Sequence, residues 1–341
     1  METRFFLLAW LVLLGFGSCN VHEYPDVSSK TAFCLRLGYQ TDFSQQEHLY
    51  ETRATKGVCE AGEIRYVVRA YPLRGGEVDW EHYTEEFVFT KDVVNGYNHE
   101  VVLELESGAY QIMVWSDLVE NVGLEHSIYG IDNFSEIVLQ GEHRANTDYK
   151  DAFRGVGQIT LEASAIEVLP DTLDVAMERP LAKFEFVTND LKEFIIKEME
   201  ALSKAESAGD GVKPVTKVDV NDYKVVFYYV GFMPHAYSMF TDKPVDSKTG
   251  VMFESKLTQL NETEASLGFD YVFVNGKESA VTIQVGIFNK DGKQLSLTDP
   301  IEVPLKRAVH TIMVGKFLMA KASGGVVINP DYEGDHNIVF P

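Results

Sequence analysis

The sequence is short of cysteine, of positive charge and of catalytic signatures, and each shortage removes a class of protein. Three cysteines occur among 341 residues, with no Cys-x-x-Cys pair, which excludes zinc ribbons and thioredoxin-type redox centres. Lysine and arginine number 30 against 52 aspartates and glutamates, a formal charge of −22. Such a chain repels polyanions at long range, so nucleic acid is not an expected partner. Gly-x-Ser-x-Gly, the phosphate-binding loops and His-Glu-x-x-His are all missing, and with them serine-hydrolase, nucleotide and zinc-protease chemistry. The nine histidines are scattered, none paired at helical ligand spacing, and read as loop and surface residues. Adjacent carboxylates such as Glu85 and Glu86 fall on opposite faces of a strand and cannot share a proton. Asn289-Lys290-Asp291-Gly292 lacks the distal glutamate of a calcium loop and reads as a hairpin turn. No catalytic, metal or cofactor residue is expected. Beyond the first 19 residues no apolar run approaches the ~20 residues of a membrane span, and no repeat of 20–50 residues is visible.

What is present is β-structure. Hydrophobic residues make up 45% and charged residues 24% of the chain, enough apolar content for a packed core. The length suggests two domains. The organising stretch is Met177–Thr188. Pro180 suits the first residue of a strand, and Leu181, Lys183, Glu185 and Val187 then alternate with Ala182, Phe184, Phe186 and Thr188, the period of a strand with one buried face. Ahead of it lie strand-like runs at Thr31–Tyr39, Glu63–Pro72, Glu85–Phe89, His99–Leu105, Gly108–Ser116, Ile128–Leu139, Asp151–Leu161 and Ala165–Leu169, with a long polar loop over Gln40–Gly57. Behind it Asp190 is placed to cap one helix over Leu191–Ala205, whose Leu191, Phe194, Ile195, Met199 and Leu202 form an apolar stripe. Further strands read at Tyr223–Gly231, Leu267–Val274, Ala280–Asn289, Ile301–Val303 and His310–Met319. Short strands punctuated by turn residues imply an all-β sandwich class, divided into domains at 31–176 and 177–341.

Residues 1–18 read as a secretory signal, with Arg4 ahead of the apolar run Phe5–Leu14. Phe16-Gly17-Ser18-Cys19 is similar to a bacterial lipobox, which makes Cys19 the lipidated residue and Asn20–Ser29 part of a tether spanning 19–30. Acyl chains hold a protein to a membrane through buried methylenes. Cys34 and Cys59 form either a disulfide, as an even pair in an exported protein does, or two buried thiols. Trp80, Tyr83 and Tyr97 in the first domain, and Tyr237 and Phe240 with Met239 in a loop of the second, are the exposed aromatics on which a sugar could stack. The end, Val326–Pro341, reads as the last strand of its own sandwich or as an exchanging strand.

Several motifs together resemble the fimbrillin-like lipoproteins of Bacteroidales, the family of type V pilin subunits and their anchors. They are the lipobox at Cys19, Asp151-Ala152-Phe153-Arg154-Gly155 before a strand, Glu178-Arg179-Pro180-Leu181-Ala182-Lys183 opening a strand, His310-Thr311-Ile312 with Gly315-Lys316-Phe317-Leu318, and the closing Gly324-Gly325-Val326-Val327-Ile328 and Asp331-Tyr332-Glu333-Gly334. The resemblance implies two transthyretin-like β-sandwich domains in tandem, an outer-membrane, surface-exposed or fimbrial location, and no catalytic role. In that family an arginine-specific protease cuts pilin subunits after an early strand, and a strand from the next subunit fills the groove. Arg53, in the polar loop ahead of Ala54, lies in the matching place, whereas anchors of the family keep the strand. Asp171-Thr172-Leu173 matches the O-glycosylation pattern of exported proteins of these bacteria, with Thr172 as acceptor, or is a plain interdomain turn. The function implied is a structural or adhesive component, or an anchor, of a fimbria, with other fimbrial subunits and host or glycan ligands as partners. The alternative is a glycan-binding accessory lipoprotein of a polysaccharide-uptake system.

Overall fold

A computed structural model of the protein describes residues 30–40, 63–92, 98–119, 127–163, 170–206, 217–275, 278–320 and 338–339. Its strands up to the organising stretch are β1 (Lys30–Tyr39), β2 (Glu63–Arg74), β3 (Glu77–Val78), β4 (Glu85–Asp92), β5 (His99–Glu106), β6 (Gly108–Val119), β7 (Tyr129–Gly130), β8 (Ile137–Leu139), β9 (Ala152–Leu161) and β10 (Asp171–Glu178). Then come β11 (Leu181–Thr188), helix α1 (Leu191–Glu206), β12 (Lys224–Tyr229), β13 (Phe232–Ser238), β14 (Lys243–Thr249), β15 (Met252–Lys256), β16 (Thr258–Gln259) and β17 (Ala265–Phe273). The last are β18 (Glu278–Phe288), β19 (Gln294–Leu297), β20 (Ile301–Lys306), β21 (His310–Gly315) and β22 (Ile338–Val339). The protein is all-β and sandwich-like, and α1 is its one α-helix among the described residues.

The first core lies between two layers of one folded-over sheet. One layer is β4-β2-β6-β9 with β3 at its end, the other β10-β1-β5. They join where β9 meets β10 through only two residue pairs, Met177 with Gly155 and Glu178 with Arg154. At that corner a side chain on Gly155 would sit 2.4 Å from Met177 Sδ and 2.5 Å from Val175 Cγ1, so glycine is what lets the layers close. Phe33, Leu35 and Leu37 of β1 face Ile64, Tyr66, Val68, Ile112 and Val114 across this core. β1 is the central strand of its layer, parallel to β10 over Phe33–Tyr39 and antiparallel to β5 over Lys30–Leu37.

The second core lies between the sheet β16-β17-β11-β21-β22 and the sheet of β15, β12, β18, β19 and β20. Ala182, Phe184 and Phe186 point into it, as the alternation predicts. The other face of β11 is not open to solvent, however. All eight residues of the strand are buried, Lys183 and Glu185 included, because residues of the 142–151 segment and of β17 and β21 cover it. Helix α1 closes one end through Leu191 and Phe194, with Ile195 and Met199 half-buried, while Leu202 is exposed. Asp190 stands at the cap position, its carbonyl accepting from the Phe194 N–H at 3.0 Å, but its side chain reaches elsewhere. Its carboxylate accepts from the Thr188 hydroxyl and from the backbone N–H of Met319 at 2.9 Å, so it ties the chain after β21 to the head of α1.

A third cluster joins the two. Val67, Tyr71, Met113 and Trp115 on the outer face of β2 and β6 pack with Tyr129, Phe134 and Ile137, and with Leu181, Tyr237, Tyr271 and Phe273 from the second half. The four-stranded sheet β14-β13-β8-β7 has the same mixed origin. Asp246–Thr249, polar throughout, belongs to strand β14, and the bend falls on Gly250. Asp171–Leu173 opens β10 rather than forming a turn. Ala165–Leu169, Gln40–Gly57 apart from Gln40 itself, and Val326–Pro341 apart from the two residues of β22 lie outside the described residues. β22 pairs in parallel with Met313 and Val314 of its own chain.

Candidate functional site

Three features are candidates for chemistry or recognition. The first is the slot that holds β1. Its apolar side chains Phe33, Leu35 and Leu37 are almost wholly buried, and both its edges are hydrogen-bonded. Cys34, on the opposite face, is half-buried and lies across from Val102 and Thr172. Thr172 is exposed at the start of β10. Cys19, Arg53, Ala54 and Cys59 lie outside the described residues, as does Tyr97.

The second feature is an aromatic platform. Trp80 and Tyr83 are 40% and 44% exposed, and both flank Tyr71, at 5.6 and 6.1 Å between ring centroids. Phe240 of the second half completes the group, 5.5 Å from Tyr71 and 4.9 Å from Trp80. Arg69 stacks over Tyr83 at 4.8 Å, and its guanidinium is held by Glu86 at 2.5 Å and by the carbonyl of Asp132. Glu85 turns the other way and binds Lys30, which confirms the strand alternation of the two carboxylates. Aromatic faces beside charged hydrogen-bonding groups are the ingredients of sugar stacking. Tyr237 and Met239 do not belong to this surface. Tyr237 is fully buried against Phe273, and its hydroxyl donates to Asp242, whose left-handed backbone aims the carboxylate at Arg307 as well.

The third feature is a buried charge cluster beneath a cavity, assembled from residues that no motif in the sequence connects. The segment 142–151 runs across the junction of the two halves. Asp270, on β17, is completely buried. It accepts from Lys150 Nζ at 2.5 Å, His143 Nε2 at 2.7 Å, the Tyr229 hydroxyl at 2.7 Å and the backbone N–H of Tyr271 at 2.8 Å. Burial alone would raise its pKa, but the Lys150 cation and the His143 bond win and hold the carboxyl below its ordinary value. Burial, then the Asp270 charge, pushes the Tyr229 hydroxyl well up, so it stays a donor. Alongside, Arg179 forks onto Asp151 at 2.7 and 2.8 Å, and Lys183 and the Tyr271 hydroxyl meet on Asp148 at 2.9 and 2.7 Å. His143 is thus no surface histidine.

Above the cluster opens a cavity of about 400 Å3 between residues 139–144 and the β14–β15 turn, with Lys150 and His143 on its wall. His235 also lines it, and burial followed by the nearby Lys248 charge lowers its pKa. Among the described residues no three His, Cys, Asp or Glu side chains are placed to hold a metal ion, and no helix is long and apolar enough to cross a membrane.

Comparison with solved structures finds loose likenesses. An adhesin candidate from Bacteroides ovatus is 10% identical, with 82% of this chain and 80% of that one covered at a TM-score of 0.42. A candidate polysaccharide-binding protein from Bacteroides thetaiotaomicron is 12% identical, with 78% and 79% covered at 0.43. The fimbrial anchor protein Mfa2 from Porphyromonas gingivalis is 12% identical, with 79% and 82% covered at 0.40. Among curated protein sequences nothing matches. A family model does match, over residues 31–341, which is most of the sequence. The chain therefore belongs to the family described as "Family of unknown function (DUF6562)".

Proposed function

We propose that this protein is a lipid-anchored, cell-surface fimbrillin-like component that builds or anchors a fimbria by strand addition. The observation that carries the reading is the seat of β1. A cut after Arg53 would free the first strand of the fold, and that strand is the central member of a three-stranded layer. Its departure leaves β5 and β10 with unpaired edges and leaves three apolar sockets, those of Phe33, Leu35 and Leu37. Each socket is worth about 1.5–3 kcal/mol when filled, and the bare edges add a main-chain template. Only an extended segment with apolar residues at every second position restores both, and a neighbouring subunit can supply one. The family resemblance through the lipobox and the strand-opening motifs points the same way. Cys19 supplies the anchor in a subunit that keeps β1, and Thr172 offers an exposed hydroxyl for glycosylation.

The intact mass of protein from its native membrane tests this. A lipid-free chain starting at Ala54, recovered as a heat-stable ladder, is the expected result for a polymerising subunit. An acylated chain starting at Cys19 is the result for an anchor. A lipid-free, monomeric chain starting at or near Cys19 overturns both.

A second reading, surface capture of polysaccharide, is favoured by one observation, the exposed Trp80 and Tyr83 beside Phe240. Base–aromatic and sugar–aromatic stacking both draw on the apolar ring face. Trp80→Ala is expected to abolish retardation in polysaccharide affinity gels while leaving the fold intact. Unchanged retardation would remove the platform from consideration.

A further inference from the structure

The strand at the centre of its layer is also the electrostatic exception there. β1 carries Lys30 and Arg36 and no carboxylate. Its neighbours are the reverse. β5 carries Glu100, Glu104 and Glu106, β10 carries Asp171, Asp174 and Glu178, and neither has a lysine or arginine. Strand alternation sends Phe33, Leu35 and Leu37 inward and Arg36 outward. In register, Arg36 stands between Glu100 on one side and Asp174 on the other. Its guanidinium lies 2.7 Å from the first and 3.7 Å from the second, all three side chains being at the surface. Lys30, opposite Glu106, reaches Glu85 of β4 at 3.1 Å. Residues 326–341 of the same chain offer a contrast. They hold Asp331, Glu333 and Asp335 and no lysine or arginine, and Ile338 and Val339 among them pair with β21.

We propose that the strand which takes the place of β1 is basic on its outward face, with a lysine or arginine between Glu100 and Asp174, and that it comes from a subunit of another sequence rather than from residues 326–341 of a second copy. The inference rests on the strand-addition reading. The inward sockets ask for apolar side chains at every second position, which β-strands in general supply, so they hold an insert without choosing it. The acidic borders choose. An exposed ion pair adds little affinity by itself. A like charge set directly opposite is destabilising, and an acidic residue at the Arg36 position would meet two of them, Glu100 and Asp174. Charge complementarity of this kind sets specificity more than strength. The acidic segment 326–341 is therefore a poor insert, and a basic strand is a good one.

A competition on the full chain, carrying a sequence-specific protease site within residues 41–57, tests it. The cut chain is denatured and then renatured with a labelled synthetic strand, so that slow release of β1 does not limit entry, and fluorescence anisotropy reads how much strand is held. Four strands are compared: Lys30–Tyr39 itself, the same with Lys30→Gln and Arg36→Gln, the same with Lys30→Glu and Arg36→Glu, and residues 326–341. Lys30–Tyr39 is expected to bind on the order of five-fold more tightly than the glutamine strand, and the glutamate strand to bind more weakly still. Both differences should shrink in about 0.5 M salt, which screens exposed charges. Residues 326–341 should not be held. Equal binding of the three β1-derived strands would overturn the charge selection while leaving strand addition standing. Binding of residues 326–341 as tight as that of Lys30–Tyr39 would overturn the choice of partner. If no strand is held, Lys30–Tyr39 included, the strand-addition reading falls and this proposal with it.

Discussion

Asp270→Ala is expected to lower unfolding stability by about 3–5 kcal/mol, the cost of stripping a buried ion pair of one partner. Lys150 is 1% exposed, so without Asp270 its buried ammonium loses its ion-pair partner. The Tyr229 hydroxyl and His143 Nε2 lose their acceptor in the same step. Denaturant titration of the variant against the parent reads the loss, and a change below about 1 kcal/mol would mean the cluster is hydrated. The pH dependence follows from the sign of the shift. The folded-state pKa of Asp270 lies below its ordinary value of 3.8. Its contribution is therefore fully present above that value and is lost as pH falls through the depressed folded value. The stability gap between parent and Asp270→Asn should stay constant from neutral pH down to about pH 5, then narrow in stronger acid. A gap that narrows already at neutral pH would assign the dependence to a histidine instead.

The second large effect is expected at Trp115. Its indole is fully buried, 5.3 Å from Tyr129 and 6.3 Å from Tyr237 between centroids. It fills the cluster where the outer face of β6 meets the second half. Trp115→Ala opens a cavity there and should cost about 3–5 kcal/mol, read as a fall in the denaturation midpoint. Trp115→Phe retains an aromatic ring and should cost clearly less. Trp80→Ala, on the exposed platform, should shift the midpoint little. If Trp80→Ala and Trp115→Ala cost the same, the third cluster is not what couples the two cores.

Most strands are legible either because apolar and polar residues alternate, as in β1 and β5, or because a long apolar run is buried on both faces, as in β2 and β6. β1, β2, β5, β6, β12, β17 and β18 each sit within a few residues of where these patterns place them. β14 is not, and the reason is physical. Its seven residues are exposed or half-buried, so burial imposes no pattern on them. β13 carries Pro234, which reads as a break, yet the register shifts beside it let the strand continue. The lysine and glutamate of β11 looked like a solvated face. Their burial depends on Asp148, Ser266 and His310, partners far away in sequence. The charge cluster was invisible for the same reason: Lys150 and Asp270 are 120 residues apart, and a lone lysine or aspartate signals nothing. Tyr237 was misplaced because an aromatic between polar residues looks the same in a loop and in an interface. Trp80 and Tyr83 were found, since the short polar stretch around them offers no core to enter.

The parallel pairing of β1 and β10 has a mechanical consequence. If traction enters ahead of Lys30 and leaves through β11, which follows β10 after Arg179 and Pro180, the two strands are drawn along their lengths in opposite senses. Seven register pairs, Phe33 with Asp171 through Tyr39 with Met177, then carry the load together. Parallel ladders space their hydrogen bonds evenly, so no single bond is first in line. Such a joint resists in shear, where a hairpin pulled at its open end would unzip one rung at a time.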